Sequence, residues 1–381
     1  MIGCERVLNQ DWQASLDSLE PHFQPQPARR CQEQVGTHRR TERSAHARDL
    51  RLDERDMILS IRHIMTSPAG LRVSACVTAY NEERNIRKLL RSLLGQKVQP
   101  HSLCEVVVVA SGCTDGTTAE VQDLAKDDPR LRLIVQDARM GKASAINAYG
   151  RERDPTADVV AVVSADLILQ PGCLFLLLER LASRPHVGMV GPRPVPTNPR
   201  GRLMGNMVGF LWQLHHDIAS ESPKLGEVIA LRSSLVRPIP EDSPVDEATL
   251  EASVVAGGHA LSYVPEAVVA NRGPDNIREY FGQRRRIAAG HFWLRRRTGY
   301  SVPTLDVKRI AKKAVGYLTF AEPLTDASYV AAALIEGAAR ALGYFDYKRE
   351  YNHAIWRVAS STRDVTPAEE TSRPGSGKDG A

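Results

Sequence analysis

Short unbroken apolar runs alternate along the first half of this chain with segments whose apolar residues recur every three or four positions. Val159-Val160-Ala161-Val162-Val163 is the clearest run: five apolar residues, four of them β-branched, predicting a strand buried on both faces. Arg72 to Tyr80, Glu105 to Ala110, Leu131 to Gln136 and Val187 to Gly191 read as further strands. Between them, Leu89, Leu90, Leu93 and Leu94 give a helix entered at Asn81 its apolar face. Thr117 and Gly141 open two more helices, and Cys173 to Leu181 predicts another after the Pro171-Gly172 stop. Five strand–helix alternations at short spacing predict an α/β fold with a mostly parallel, doubly wound sheet.

The chemistry gathers where these strands end. The Val159 strand runs into Ser164-Ala165-Asp166, and a carboxylate at the carboxyl end of a buried strand lies where open α/β sheets bind ligands. Ser111 to Thr117 is a glycine-bearing loop before a helix. Within it Asp115 precedes Gly116 and is equally suited to cap that helix. Lys142 follows Gly141 at a helix start, where phosphate binding is favoured. Pro244-Val245-Asp246-Glu247 is a helix entry as well as a pair of carboxylates. His215 and His216 are adjacent on a helical pattern, so their side chains point about 100° apart. Packing or acceptor contact suits them better than a shared metal.

Composition narrows the class. A chain of 381 residues, 42% apolar and 25% charged, is globular in type. Its net charge of +5 suits an anionic substrate or membrane surface and gives no case for nucleic acid. Six scattered cysteines without a Cys-x-x-Cys pair predict reduced thiols in the cytoplasm. The opening Met-Ile-Gly-Cys-Glu-Arg lacks the apolar core of a signal peptide, so secretion is not expected. Leu203 to Leu214 is too short to span a membrane. Tyr329 to Phe345 is Ala-rich with Glu336 and Arg340 one helical turn apart, which predicts a helix packed on protein or lying at a membrane surface. Residues 1–68 read as a disordered or marginally ordered basic extension, and residues 358–381 as a disordered Ser/Thr/Pro/Gly-rich tail.

The series Val-Thr-Ala-Tyr-Asn-Glu-Glu, Ser-Gly-Cys-Thr-Asp-Gly-Thr, Gly-Lys-Ala-Ser-Ala-Ile-Asn and Ser-Ala-Asp resembles glycosyltransferase family 2. Val245 to Leu250, Tyr263 to Ala267 and Gln283 to Ile287 extend the likeness over roughly residues 70–300. The resemblance implies a GT-A type nucleotide-diphospho-sugar transferase domain over residues 69–300. Helical C-terminal additions follow over residues 301–357. It implies an inverting transfer from a nucleotide-diphospho-sugar, with a UDP-sugar expected, to a lipid-linked or polysaccharide acceptor at the inner membrane face. It also implies a divalent cation, Mg²⁺ or Mn²⁺.

By the same resemblance Thr78, Ala79, Tyr80, Glu82, Ser111, Asp115, Lys142, Ala165, Asp166, Gln283 and Arg286 bind the donor, and Asp166 holds the metal. Arg286 suits a pyrophosphate bidentately. The general base is Glu247 by register, counting back from Tyr263-Val264-Pro265, or Asp246 beside it. Three positions depart from the family pattern: Ser164 stands for the first aspartate of Asp-x-Asp, Ala110-Ser111 for a double aspartate, and Ile287 for a tryptophan. Ser164 and Ala110-Ser111 motivate a second reading, a non-catalytic nucleotide-sugar binder, and Ile287 argues against a polymerising enzyme. A nicotinamide dehydrogenase is a distant third, because no Gly-x-Gly-x-x-Gly turn follows the first strand.

Overall fold

The computed structural model describes residues 70–351, 353–355, 359–362 and 364–365. The extension expected over residues 1–68 and the end of the tail lie outside the described residues. Eight strands form one sheet in the order β3-β2-β1-β4-β7-β6-β8-β5. They are β1 Arg72–Ala79, β2 Ser102–Ser111, β3 Leu131–Gln136, β4 Val159–Ser164, β5 Ile168–Leu169, β6 Val187–Pro196, β7 Val228–Arg232 and β8 Ala260–Asn271.

The helices of the first half are α1 Glu83–Leu94, α2 Thr117–Ala125, α3 Gly141–Glu152 and α4 Cys173–Ser183. The second half holds α5 Leu203–Glu221, α6 Asp246–Ala256, α7 Ile277–Thr298, α8 Val307–Val315 and α9 Pro323–Lys348. Strands β1 to β4 pair in parallel, as the alternation predicts. The second half is mixed: β7 enters antiparallel to both β4 and β6, and β5 runs antiparallel to β8.

The apolar runs are buried on both faces. Val159, Ala161 and Val163 join the core beneath α1 and α4, while Val160 and Val162 join the core beneath α3 and α6. Strands β1 and β2 divide in the same way, with Val77 and Val108 on one side and Cys76 and Val107 on the other. A sheet covered on both faces leaves its carboxyl edge as the place for ligands. Register aligns that edge, since Thr78 lies opposite Ser164 and Ala79 opposite Ala110.

Two local expectations change. Asn81 is not the cap of α1. It sits at φ 55°, donates to Thr114 Oγ1 and accepts from the Thr114 amide at 2.7 Å. Asp115 accepts from the Glu83 amide in the first turn of α1 instead. The tail expected to be disordered from residue 358 is docked over its described part. Val365 N–H donates to Asn85 at 2.9 Å, Lys88 pairs with Asp364, and Ser361 meets Glu279 and the Asp275 amide.

Candidate active site

A cavity of about 970 Å³ opens along the carboxyl edge of the sheet. It is lined by Thr78, Ala79, Tyr80 and Glu82 after β1, by Ser111 after β2, and by Lys142, Ala165 and Asp166. Asp246, Glu247, Gln283 and Arg286 complete the wall from the second half. Of the residues expected to bind the donor or act as base, Asp115 alone is not in the wall. Its carboxylate accepts from the Thr117 and Glu83 amides, tying α1 to α2, which is the capping alternative.

Lys142 sits at the centre of the charges. It enters from the start of α3, where Gly141 takes φ 88°, a backbone that side chains avoid. Its ammonium pairs with Glu247 and donates to Ser164 Oγ at 2.9 Å. Burial opposes the Lys142 charge, but Glu247 and Asp246 outweigh it and its pKa is raised. Burial would raise Glu247 too, yet Lys142 overrides this and holds that carboxyl at about 2.

Asp246 is in the opposite condition. It is 1% exposed, and its Oδ1 has no hydrogen-bond partner among the described residues. Burial, then repulsion from Glu247, pushes its carboxyl up to about 7 against the pull of Lys142 and Arg286. Side by side at the start of α6, the two carboxyls are driven apart in pKa by different surroundings.

Arg284, Arg285 and Arg286 diverge because successive helical residues turn about 100°. Arg284 pairs with Glu336 and Arg285 with Asp346, both on α9. Arg286 points to the cavity, donates to the Pro244 carbonyl and is brought down to about 10 by burial. His215 also lines the cavity, held neutral by burial at about 3. His216 turns away to Tyr263 Oη at 3.1 Å.

Sequence reading missed Glu227. Strand β7 runs antiparallel to β4, so the loop before it reaches the edge where β4 ends. The Ser164 amide donates to the Glu227 carbonyl at 3.2 Å. Glu227 takes φ 62°, a left-handed backbone for a residue with a side chain, and accepts from Asn271 at 3.3 Å. Burial, then repulsion from Asp166, lifts its carboxyl to about 7. Burial likewise raises Asp166, with Lys142 opposing and Glu247 adding repulsion. Also missed were Arg139, whose guanidinium lies 4.0 Å over the Tyr80 ring, and the wall formed by Tyr351, His353 and Ile355.

Among the described residues no three of His, Cys, Asp and Glu gather into a metal-holding group. Asp166 makes no ion pair among them, and Glu227 is its neighbouring carboxylate. One or two carboxylates completed by phosphate oxygens is the usual protein share of a Mg²⁺ or Mn²⁺ site, so the residues fit a divalent cation bound with a diphosphate.

Residues 74–224 match the profile of Glycosyl transferase family 2. Glycosyltransferase AglD of Haloferax volcanii is 30% identical over 138 residues, 35% of this chain and 22% of AglD. Dolichyl-phosphate beta-glucosyltransferase ALG5A of Trichomonas vaginalis is 35% identical over 86 residues, 21% of this chain and 27% of that one. The chain therefore spans about a quarter of the length of these two relatives. Among solved structures, mannosyltransferase PcManGT from Pyrobaculum calidifontis, in complex with GDP-Man and Mn2+, superposes with a TM-score of 0.52 at 22% identity. The match covers 78% of this chain and 94% of that one, and it shows a shared GT-A type fold. Over residues 74–224 the chain is therefore similar to glycosyltransferase family 2.

Proposed function

We propose that this chain is an inverting glycosyltransferase that moves a sugar from a nucleotide-diphospho-sugar to a hydroxyl of a lipid-linked or polysaccharide acceptor at the inner membrane face. The observation that carries this reading is the convergence of Asp166, Asp246 and Glu247 around Lys142 in one cavity at the carboxyl edge of the sheet.

The nucleotide occupies the wall from Thr78 to Glu82 with Ser111, and the diphosphate lies against the start of α3 and Lys142. Arg286 reaches it from α7 as a planar cation. Asp166 and Glu227 are the carboxylates that would hold a divalent cation. Bound there, the cation would neutralise charge on the departing diphosphate. The donor's diphosphate competes with Glu247 for Lys142.

The acceptor hydroxyl approaches from the α6 side, and its oxygen bonds to the anomeric carbon as the carbon–phosphate-oxygen bond breaks. Its proton passes to a carboxylate. Register points to Glu247, but a carboxyl held near 2 by an ammonium is a weak base. Asp246, near 7 with an unpartnered oxygen, is the better acceptor of that proton, and we assign it the role. Attack opposite the leaving group inverts the anomeric configuration.

The test is a panel of sugar nucleotides incubated with the full chain and Mn²⁺, the product anomer being read by NMR. Consumption of one donor with inversion is expected, and a product retaining configuration overturns the mechanism. Ser164, a hydroxyl bonded to Lys142 where the resemblance implies an aspartate, favours the non-catalytic binder as second reading. Saturable donor binding without turnover would select it.

A further inference from the structure

Helix α9 is built inside out. A surface helix ordinarily buries its apolar stripe and shows its charges to water. Here the charges point inward. Glu336 accepts from Arg284 at 2.7 and 3.0 Å and from Arg340 at 2.8 Å, while Asp346 takes Arg285. Gly343 lets α7 approach so closely that an added Cβ would lie 2.6 Å from the Arg285 carbonyl oxygen. The outward face is left to Val330, Leu334, Leu342 and Phe345, with alanines and a glycine between them. Leu324, 86% exposed, carries it to the first turn of the helix, and Phe320 is exposed just before that turn. From Leu324 to Phe345 this stripe runs about 30 Å at the helical rise. An apolar patch of that extent marks an interaction surface.

Charge identifies the partner. Residues 295–349 hold twice as many Lys and Arg as Asp and Glu. Two of the acids, Glu336 and Asp346, are spent on α7, and three of the bases, Arg297, Lys313 and Arg340, are paired with Asp242, Glu221 and Glu336. Exposed Lys308 and Lys312 lie on α8, which shares one apolar cluster with α9 through Ile310 and Ile335. Arg296, bonded to Tyr347 Oη, and Lys348 border the C-terminal end of α9. A second copy laid on this face would set bases against bases. Among the described residues no helix is long and apolar enough to cross a membrane, so a lipid partner would be met at its surface.

We infer that the outward face of α9, with Phe320 and Leu324, docks on an anionic membrane surface, its apolar side chains entering the headgroup boundary and the flanking bases meeting lipid phosphates. This rests on the reading of the chain as a transferase working at a membrane face, and it adds the surface that would bring the cavity there.

The experiment sediments the full chain with vesicles of phosphatidylcholine alone and of phosphatidylcholine with phosphatidylglycerol in equal parts, without donor or acceptor. Leu334→Glu and Phe345→Glu are compared with wild type, after thermal melts establish that both fold. Wild type should pellet with the anionic vesicles only, and less so in high salt. Each variant should lower that partition about tenfold or more, because each removes a large apolar side chain and adds an acid.

Equal partition onto both vesicles, no partition, or variants that bind like wild type would overturn the inference. So would a lipid-free dimer that Leu334→Glu splits, since the occupant would then be a second copy. Because binding is read without turnover, an inactive chain that still sediments with anionic lipid fails the transferase reading and leaves this one standing.

Discussion

Replacing Asp246 by asparagine keeps size and shape and removes one ionisation. In the folded chain that carboxyl is pushed up to about 7, chiefly by burial and then by Glu247. Raising a carboxyl from its usual value near 4 to about 7 corresponds to about 4 kcal/mol. The folded state therefore holds the Asp246 proton more tightly than the unfolded chain does. The stability this brings is complete below about pH 4, declines as pH rises, and is gone above about pH 7. Asparagine has no such dependence. At pH 4 the variant should melt close to wild type, within about 0.5 kcal/mol. At pH 8 it should be more stable by about 2–4 kcal/mol, the lower figure applying if Arg286 and Lys142 miss the lost charge.

Transfer should move the other way. Loss of a positioned base reduces rate by about 10²- to 10⁴-fold, with donor affinity little changed. In wild type, kcat/KM should rise about tenfold per pH unit up to about 7 and then level. The assays are initial rates with the preferred donor and Mn²⁺, and thermal melts at the two pH values. Lower stability at both pH values with transfer within about threefold of wild type would refute the reasoning. Asp246 would then only start α6.

Glu247→Gln should disturb donor binding more than the chemical step, because its partner is Lys142; a loss of the rate with intact donor affinity, measured by titration, would return the base to Glu247. Asp166→Ala should abolish Mn²⁺ binding in the presence of nucleoside diphosphate, read by calorimetry, with a melt unchanged or slightly higher; undiminished Mn²⁺ affinity would remove Asp166 from the cation site. Glu336→Gln should cost about 1–3 kcal/mol by leaving the largely buried Arg284 without its carboxylate, and denaturant unfolding would show it.

The sequence by itself determined the part of the fold made of local repeats. Strands β1 to β4 were legible because a strand buried on both faces must be apolar throughout, as Val159 to Val163 is, whatever surrounds it. Asp166 was legible because a carboxylate just after such a strand falls at the ligand edge of any doubly wound sheet. Lys142 followed from its place at a helix start and Arg286 from the family resemblance, and both line the cavity.

Tertiary structure decided what depends on neighbours distant in the chain. Glu227 reaches Asp166 only because β7 inserts antiparallel beside β4, and no spacing within residues 224–232 encodes that strand order. Which of two adjacent carboxyls keeps its proton was settled by burial of Asp246 and by the ammonium on Glu247, contributed by residues a hundred positions away. The i,i+4 pair Glu336 and Arg340 located the charged side of α9. It could not say whether that side faced water or protein; Arg284 on α7, which turns it inward and leaves the apolar side outside, decided that.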